Sequence, residues 1–113
     1  MKLNLTTWQR LTLLQMMNGV QGDLRTVHKA LKLIDLLELS PEEQEAIGLQ
    51  ATPDGTIRWV DNGKRFELEV KDGNLVAFLK EQVEAKKDWP AVADVVDLAE
   101  QLGIGVEDTD GDI

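Results

Sequence analysis

The spacing of apolar residues predicts a chain of short helices interrupted by one strand-rich segment. Thr6 and Gln9 have the spacing of a capping box, which predicts a helix that runs to about Asn18. We expect it to stop at Gly19 in a left-handed conformation. The apolar residues of this helix point nearly all round its axis, so it should be buried on more than one side. They are Trp8, Leu11, Leu13, Leu14, Met16 and Met17.

Two more helix starts follow. Asp23 predicts the cap of a second helix, in which apolar residues recur at intervals of three and four and form one core stripe. Ser40-Pro41-Glu42-Glu43 combines a Ser cap, Pro at the first helical position and Glu three residues after the cap. It predicts a short third helix that ends near Gly48. The stripe of the second helix comprises Leu24, Val27, Ala30, Leu31, Ile34 and Leu37.

Strict alternation of apolar and polar residues in TIRWVDNGKRFELEV predicts a β-hairpin. Asn62-Gly63 favours a type I′ turn, which sets Trp59 opposite Phe66, Arg58 opposite Glu67 and Ile57 opposite Leu68. The apolar pairs then share one face, and helices must cover it. Residues 3–5 could add a third strand at one edge.

Two last helices complete the predicted fold. One begins after Asp72 and frays near residues 86–88, and the other runs from Trp89-Pro90 to Leu102. We therefore predict a single α+β domain over residues 1–103, with four to five helices packed on a two- or three-stranded antiparallel sheet. Residues 104–113 should form an acidic flexible tail. The expected apolar face of the last helix comprises Val92, Val95, Val96, Leu98, Ala99 and Leu102.

Charge and composition narrow the function classes. The net charge of the 113 residues is −9, with five Lys or Arg against three acids in residues 1–39 and seven against eighteen in residues 40–113. This balance disfavours direct contact with nucleic acid or anionic lipid. The chain has no cysteine and no long apolar run, so we expect neither disulfides nor a membrane span, and we expect a cytoplasmic protein.

Groups suited to catalysis are few. The only serine, Ser40, has its hydroxyl assigned to a helix cap, and the only histidine, His28, falls on a polar helix face. Carboxylates are plentiful, but all lie on faces predicted to be solvated, whereas acid–base catalysis needs one of them desolvated. We therefore predict no enzyme activity and no cofactor, and keep a hydrolase with a carboxylate site as a distant alternative.

The C-terminal acids raise the question of a metal. Asp108, Asp110 and Asp112 match the first three ligand positions of a calcium loop. The glycine comes two positions too early, however, and no glutamate follows at position 12. We expect a solvated tail and no metal site, with weak calcium binding as the alternative.

Two helix surfaces are candidates for binding. Arg25, Lys29 and Lys32 fall together on the second helix, and Leu36 projects from the same side. The acids of the last helix, Asp94, Asp97 and Glu100, share its predicted polar face. Each surface would serve either solubility or contact with a protein partner.

The order of elements resembles that of small uncharacterised bacteriophage and prophage proteins. The resemblance spans residues 1–103 and lies in a KLNL start, an LSPEEQEAIGL helix, PDGTIRW and FELEV strands, an LKEQVEAKK helix and a closing DLAEQLG. It implies a phage accessory role and supplies no site residues.

These observations together predict a non-catalytic protein–protein interaction module. The expected partner is a host protein, bound through acidic helical surfaces, and an inhibitor that occupies the groove of a host nucleic-acid-binding protein is the sharper form. The alternative is an oligomeric virion or tail-assembly component, in which the first helix packs between subunits.

Overall fold

The computed structural model describes residues 1–60 and 65–104 and has the predicted α+β architecture. Its helices are α1 (Thr7–Asn18), α2 (Leu24–Leu37), α3 (Pro41–Ala46), α4 (Gly73–Ala85) and α5 (Ala93–Gln101). Its strands are β1 (Lys2–Thr6), β2 (Gln50–Ala51), β3 (Ile57–Arg58) and β4 (Arg65–Glu69). Residues 105–113, which include the Asp108–Asp112 run, lie outside the described part, so the predicted tail stays a prediction.

The predicted starts of the first three helices are confirmed, whereas the last helix begins at Ala93, with Val92 as its N-cap, and not at Trp89-Pro90 as predicted. At α1 the Thr6 hydroxyl accepts from the Gln9 amide at 3.2 Å, while the Gln9 side chain accepts from the Thr6 amide at 2.8 Å. A second capping box opens α3 at Ser40, and Asp23 caps α2. The predicted end of α1 is wrong in one respect: Gly19 has φ −92° and is right-handed, so no left-handed residue closes this helix.

The predicted hairpin pairing is wrong. Strand β4 pairs antiparallel with β1, so Leu5 lies opposite Phe66 and Leu3 opposite Leu68. Strand β3 pairs instead with β2, across a turn in which the Thr52 amide donates to the Thr56 carbonyl at 2.8 Å. The Asn62-Gly63 turn lies outside the described residues.

Burial explains why β1 takes the place beside β4. Leu3 and Leu5 are almost completely buried, at 1% and 0% exposure, on the face that also buries Phe66. Because β4 has two edges, this burial accounts for the pairing of residues 3–5 with β4 that the sequence predicts, whereas β3 pairs with β2 instead of β4. Trp59 still packs against the cluster that contains Phe66, so its predicted core-side position is confirmed although its strand partner is not.

Two hydrophobic clusters flank α1. Leu13 and Met17 enter the main cluster with residues of β1, α2, α4 and α5, while Leu11 packs against the smaller one. This arrangement confirms that α1 is buried on more than one side. The smaller cluster is formed by Leu39, Ile47 and Phe66.

The predicted apolar stripes of α2 and α5 are only partly right. Leu24 and Leu31 of α2 are 89% and 54% exposed, and Leu33, which the predicted stripe omitted, is buried. Apolar residues occupy more than one face of α2, and packing against α1 selects the face that carries Ala30, Leu33 and Leu37. On α5, Leu98, Ala99 and Leu102 are buried, whereas Val92 and Val96 are exposed.

A buried arginine joins three elements. Arg10 of α1 is 3% exposed, and its Nε and Nη2 donate at 2.8 Å to the carbonyls of Leu37 and Glu38, at the end of α2. Nη1 and Nη2 also donate to the Glu43 carboxylate of α3, at 2.8 and 3.1 Å. The guanidinium lies 4.8 Å from the ring centroid of Phe66. Such planar, bidentate pairing is specific to arginine.

We predict that Arg10→Ala lowers the free energy of unfolding by about 3 kcal/mol, since it leaves two carbonyls and a carboxylate without their donor. Arg10→Lys should recover only part of this loss, because an ammonium cannot reproduce the fork. Chemical denaturation measures both. The matched control, Arg25→Ala on the exposed face of α2, should change stability by less than about 0.5 kcal/mol. Equal effects of Arg10→Ala and Arg25→Ala would contradict the prediction.

Candidate functional site

The basic residues of α2 lie where the sequence predicts, on its outer side. Arg25 and Lys32 are exposed, and Leu36 beside them is 37% exposed. Lys29 is half-buried, with its Nζ 5.9 Å from the ring centroid of Phe78 in α4. Lys29 therefore packs its stem within the fold, and Arg25 and Lys32 are the cations that remain available on this face.

The same helix also exposes apolar residues that the sequence analysis assigned to the core. Leu24 and Leu31 line a shallow depression of about 470 Å³ together with Val27, Arg25 and His28. We call these five residues the α2 patch. Large apolar side chains that are exposed next to one another and rimmed by polar groups are typical of interaction surfaces.

The acids of α5 do not form the solvated face predicted for them. The Thr6 hydroxyl donates to the Asp94 carboxylate at 2.9 Å, and the fully buried Gln9 side chain donates to the Asp94 carbonyl at 2.8 Å. Asp97 accepts from Gln9 and Gln101, both at 2.8 Å, and pairs with Arg65 at 3.3 Å. Asp94 and Asp97 thus hold α5 against α1 and the β1–β4 sheet. Glu100 alone of the three is exposed.

These contacts favour the ionised form of Asp97. The hydrogen bond from Gln9 lowers its pKa below the ordinary value of an aspartate, and the bonds from Gln101 and Arg65 act in the same direction. At α3, the hydrogen bond from Arg10 likewise lowers the pKa of Glu43. Both carboxylates are therefore charged structural partners of α1.

A groove beside α1 is a feature that sequence analysis missed. It encloses about 450 Å³ between α1 and the turn that joins β2 to β3. Trp8 and Trp59 line it from the two sides. Trp8, Thr12 and Gln15 lie at helical spacing on one α1 face, but this spacing alone does not distinguish a groove from a solvated surface. The full lining is Trp8, Leu11, Thr12, Leu14, Gln15, Asn18, Gly55, Thr56 and Trp59.

The groups considered for catalysis are not gathered in the described part of the chain. The Ser40 hydroxyl accepts from the Glu43 amide at 3.1 Å, as its capping role predicts, and His28 is exposed in the α2 patch. Across residues 1–60 and 65–104, no three His, Asp or Glu side chains are placed to hold a metal ion.

Comparison with known proteins adds no relative, because no family model matches the chain and no match was found among curated proteins or solved structures. The geometry of the surfaces therefore carries the functional argument. Among the described helices, none has the length and apolar character needed to cross a membrane.

We predict that stability falls as the solution becomes more acidic than about pH 4, where aspartates begin to protonate. Because the folded-state pKa of Asp97 is lowered, its charged form stabilises the fold above the unfolded-state pKa, and this contribution is lost as the pH falls through the folded-state value. Asp97→Asn should flatten this part of the pH profile, as measured by denaturation between pH 2 and pH 7 (roughly the range over which carboxylates titrate).

Glu100→Gln on the same helix is the control, because Glu100 is exposed and none of the described hydrogen bonds or ion pairs involves its side chain. Its profile should match that of the wild type. A profile for Asp97→Asn that falls as steeply as that of Glu100→Gln would show that Asp97 has no structural role.

Proposed function

We propose that this protein is a non-catalytic interaction module that binds an acidic, amphipathic segment of a partner protein through the α2 patch. The observation that carries the proposal is the exposure of Leu24 and Leu31 beside the cations of the same helix. Burial of two leucines supplies the affinity of such a contact, about 1.5 to 3 kcal/mol for each side chain when fully buried.

The cations of α2 favour an acidic partner segment. Helix α2 exposes Arg25 and Lys32 against a single acid within the helix, Asp35, in a chain whose net charge is −9. An acidic segment is attracted to this face and a basic one is repelled, and charge complementarity of this kind also raises the association rate. A helix with leucines three or four residues apart would place its apolar stripe on Leu24 and Leu31.

A second copy of the chain fits this surface less well. A two-fold contact would bring the cations Arg25 and Lys32 of both copies into one interface, where α2 offers only Asp35 as a counter-charge. This repulsion disfavours the assembly role through α2, although it does not bear on other surfaces.

The acidic residues of α5 are less suitable as a contact site than the α2 patch. Asp94 and Asp97 already accept hydrogen bonds from within the fold, so a partner would have to displace them. We therefore place the proposed contact on α2. A phage-encoded accessory protein and a host partner remain the proposed setting, on the strength of the resemblance in layout.

An unbiased selection tests the proposal. A displayed library of random peptides is selected on the full chain alone, and the affinities of the enriched peptides are then measured for the wild type and for the Leu31→Asp variant. We predict that the enriched peptides are acidic, carry apolar residues three or four apart, and lose at least about tenfold in affinity to Leu31→Asp and to Lys32→Glu. Added salt should weaken their binding.

Two matched controls use exposed residues elsewhere on the surface. Val96→Asp changes an exposed valine of α5, and Lys71→Glu changes an exposed lysine before α4. Both should bind the selected peptides as the wild type does. Enriched peptides that are basic, or that bind Leu31→Asp and the wild type equally, would refute the assignment of the contact to α2.

A further inference from the structure

The groove between α1 and the β2–β3 turn has the size of a ligand site. Its volume of about 450 Å³ falls within the range typical of such sites. One wall is the α1 face that carries Trp8, Thr12 and Gln15, and the other is formed by Gly55, Thr56 and Trp59. Gly55 has φ +86°, and a Cβ placed there would meet no atom within 4 Å, so this side of the groove is open.

The two tryptophans of the groove differ from the third in their hydrogen bonding. The indole N–H of Trp89 donates to the Val83 carbonyl at 3.2 Å. The indole N–H groups of Trp8 and Trp59 have no acceptor among the residues that the structure describes, and neither is an unpaired buried atom. They are therefore donors accessible to a ligand, and tryptophan with an unsatisfied N–H is typical of binding surfaces.

The polar side chains of the groove are also neutral. The amides of Gln15 and Asn18 make no hydrogen bond within the described residues, and they add further donors near the indoles. None of the nine lining residues is charged. A ligand that carries a phosphate or a carboxylate would lose hydration here without gaining an ion pair.

From this lining we infer that the groove binds a proline-rich peptide segment in the polyproline II conformation. Such a segment is neutral, its rings pack on aromatic faces, and its backbone carbonyls are free to accept hydrogen bonds from indole and amide donors. A helical ligand would satisfy its own carbonyls and leave these donors unused.

This site is separate from the α2 patch, because the two sets of lining residues have no member in common. The inference therefore goes beyond the proposed function and does not depend on it. Leu31→Asp should leave binding in the groove unchanged.

Nuclear magnetic resonance of the full chain tests the inference, since its three tryptophans give three indole N–H signals. The probe is a blocked oligoproline of about ten residues, long enough for three turns of polyproline II. We predict that the signals of Trp8 and Trp59 shift in a saturable manner while that of Trp89 stays in place. A glycine–serine peptide of equal length should shift none of them.

Variants of the lining residues test whether the oligoproline binds in the groove. Trp8→Phe keeps a ring but removes the N–H, and it should weaken binding by about tenfold or more. Gln15→Ala and Asn18→Ala remove exposed donors without touching the core, so a reduced affinity in these variants cannot come from misfolding. Trp89→Phe is the matched control and should bind as the wild type does.

Three results would overturn the inference. One is the absence of a saturable shift at millimolar oligoproline. Another is an equal response to the glycine–serine peptide, which would show that any extended chain suffices. The third is displacement of the signals by a neutral disaccharide such as maltose but not by oligoproline, which would assign the groove to a saccharide.

Discussion

The fold depends on the burial of one guanidinium group. Arg10 places a permanent charge inside the protein, and the large cost of desolvating it is offset only because four hydrogen bonds and a ring face surround it. Its partners are the end of α2 and the start of α3, so the chain between these helices has one allowed position against α1. The requirement to pair this charge fixes how the first half of the chain returns to its first helix.

Gln9, next to Arg10 in the sequence, also joins α1 to a distant part of the chain. Gln9 caps its own helix and reaches both Asp94 and Asp97, which closes the second half of the chain onto the first. Two adjacent polar side chains therefore anchor the connection between α2 and α3, and also α5, to α1. In the described part of the chain, the outer face of α2 and the tryptophan groove lie away from these anchoring contacts, and the functional proposals rest on these two surfaces.

The helix caps could be predicted from the sequence, and the pairing of the strands could not. The caps at Thr6, Asp23 and Ser40 act within one turn of helix, so their residues suffice to place them. The predicted hairpin is wrong because a second turn competes with Asn62-Gly63: the turn at residues 52–56, whose Pro-Asp-Gly is also a good turn sequence, joins β3 to β2. Which strand lies beside β4 is decided by the burial of Leu3 and Leu5, a tertiary effect. The α2 patch and the tryptophan groove could not be predicted for a related reason. Whether a leucine of α2 is exposed, and whether an indole N–H has an acceptor, can be recognised only once the packing is known.

Hydrogen exchange at the arginine side chains tests the central claim most directly. The chain has four arginines, and Arg25, Arg58 and Arg65 are exposed whereas Arg10 is buried with its Nε–H bonded to the Leu37 carbonyl. In a nuclear magnetic resonance experiment the account predicts one slowly exchanging Nε–H signal, which disappears in Arg10→Lys, and three that exchange rapidly with solvent. An Arg10 signal that exchanges as fast as the other three would contradict the burial of this charge.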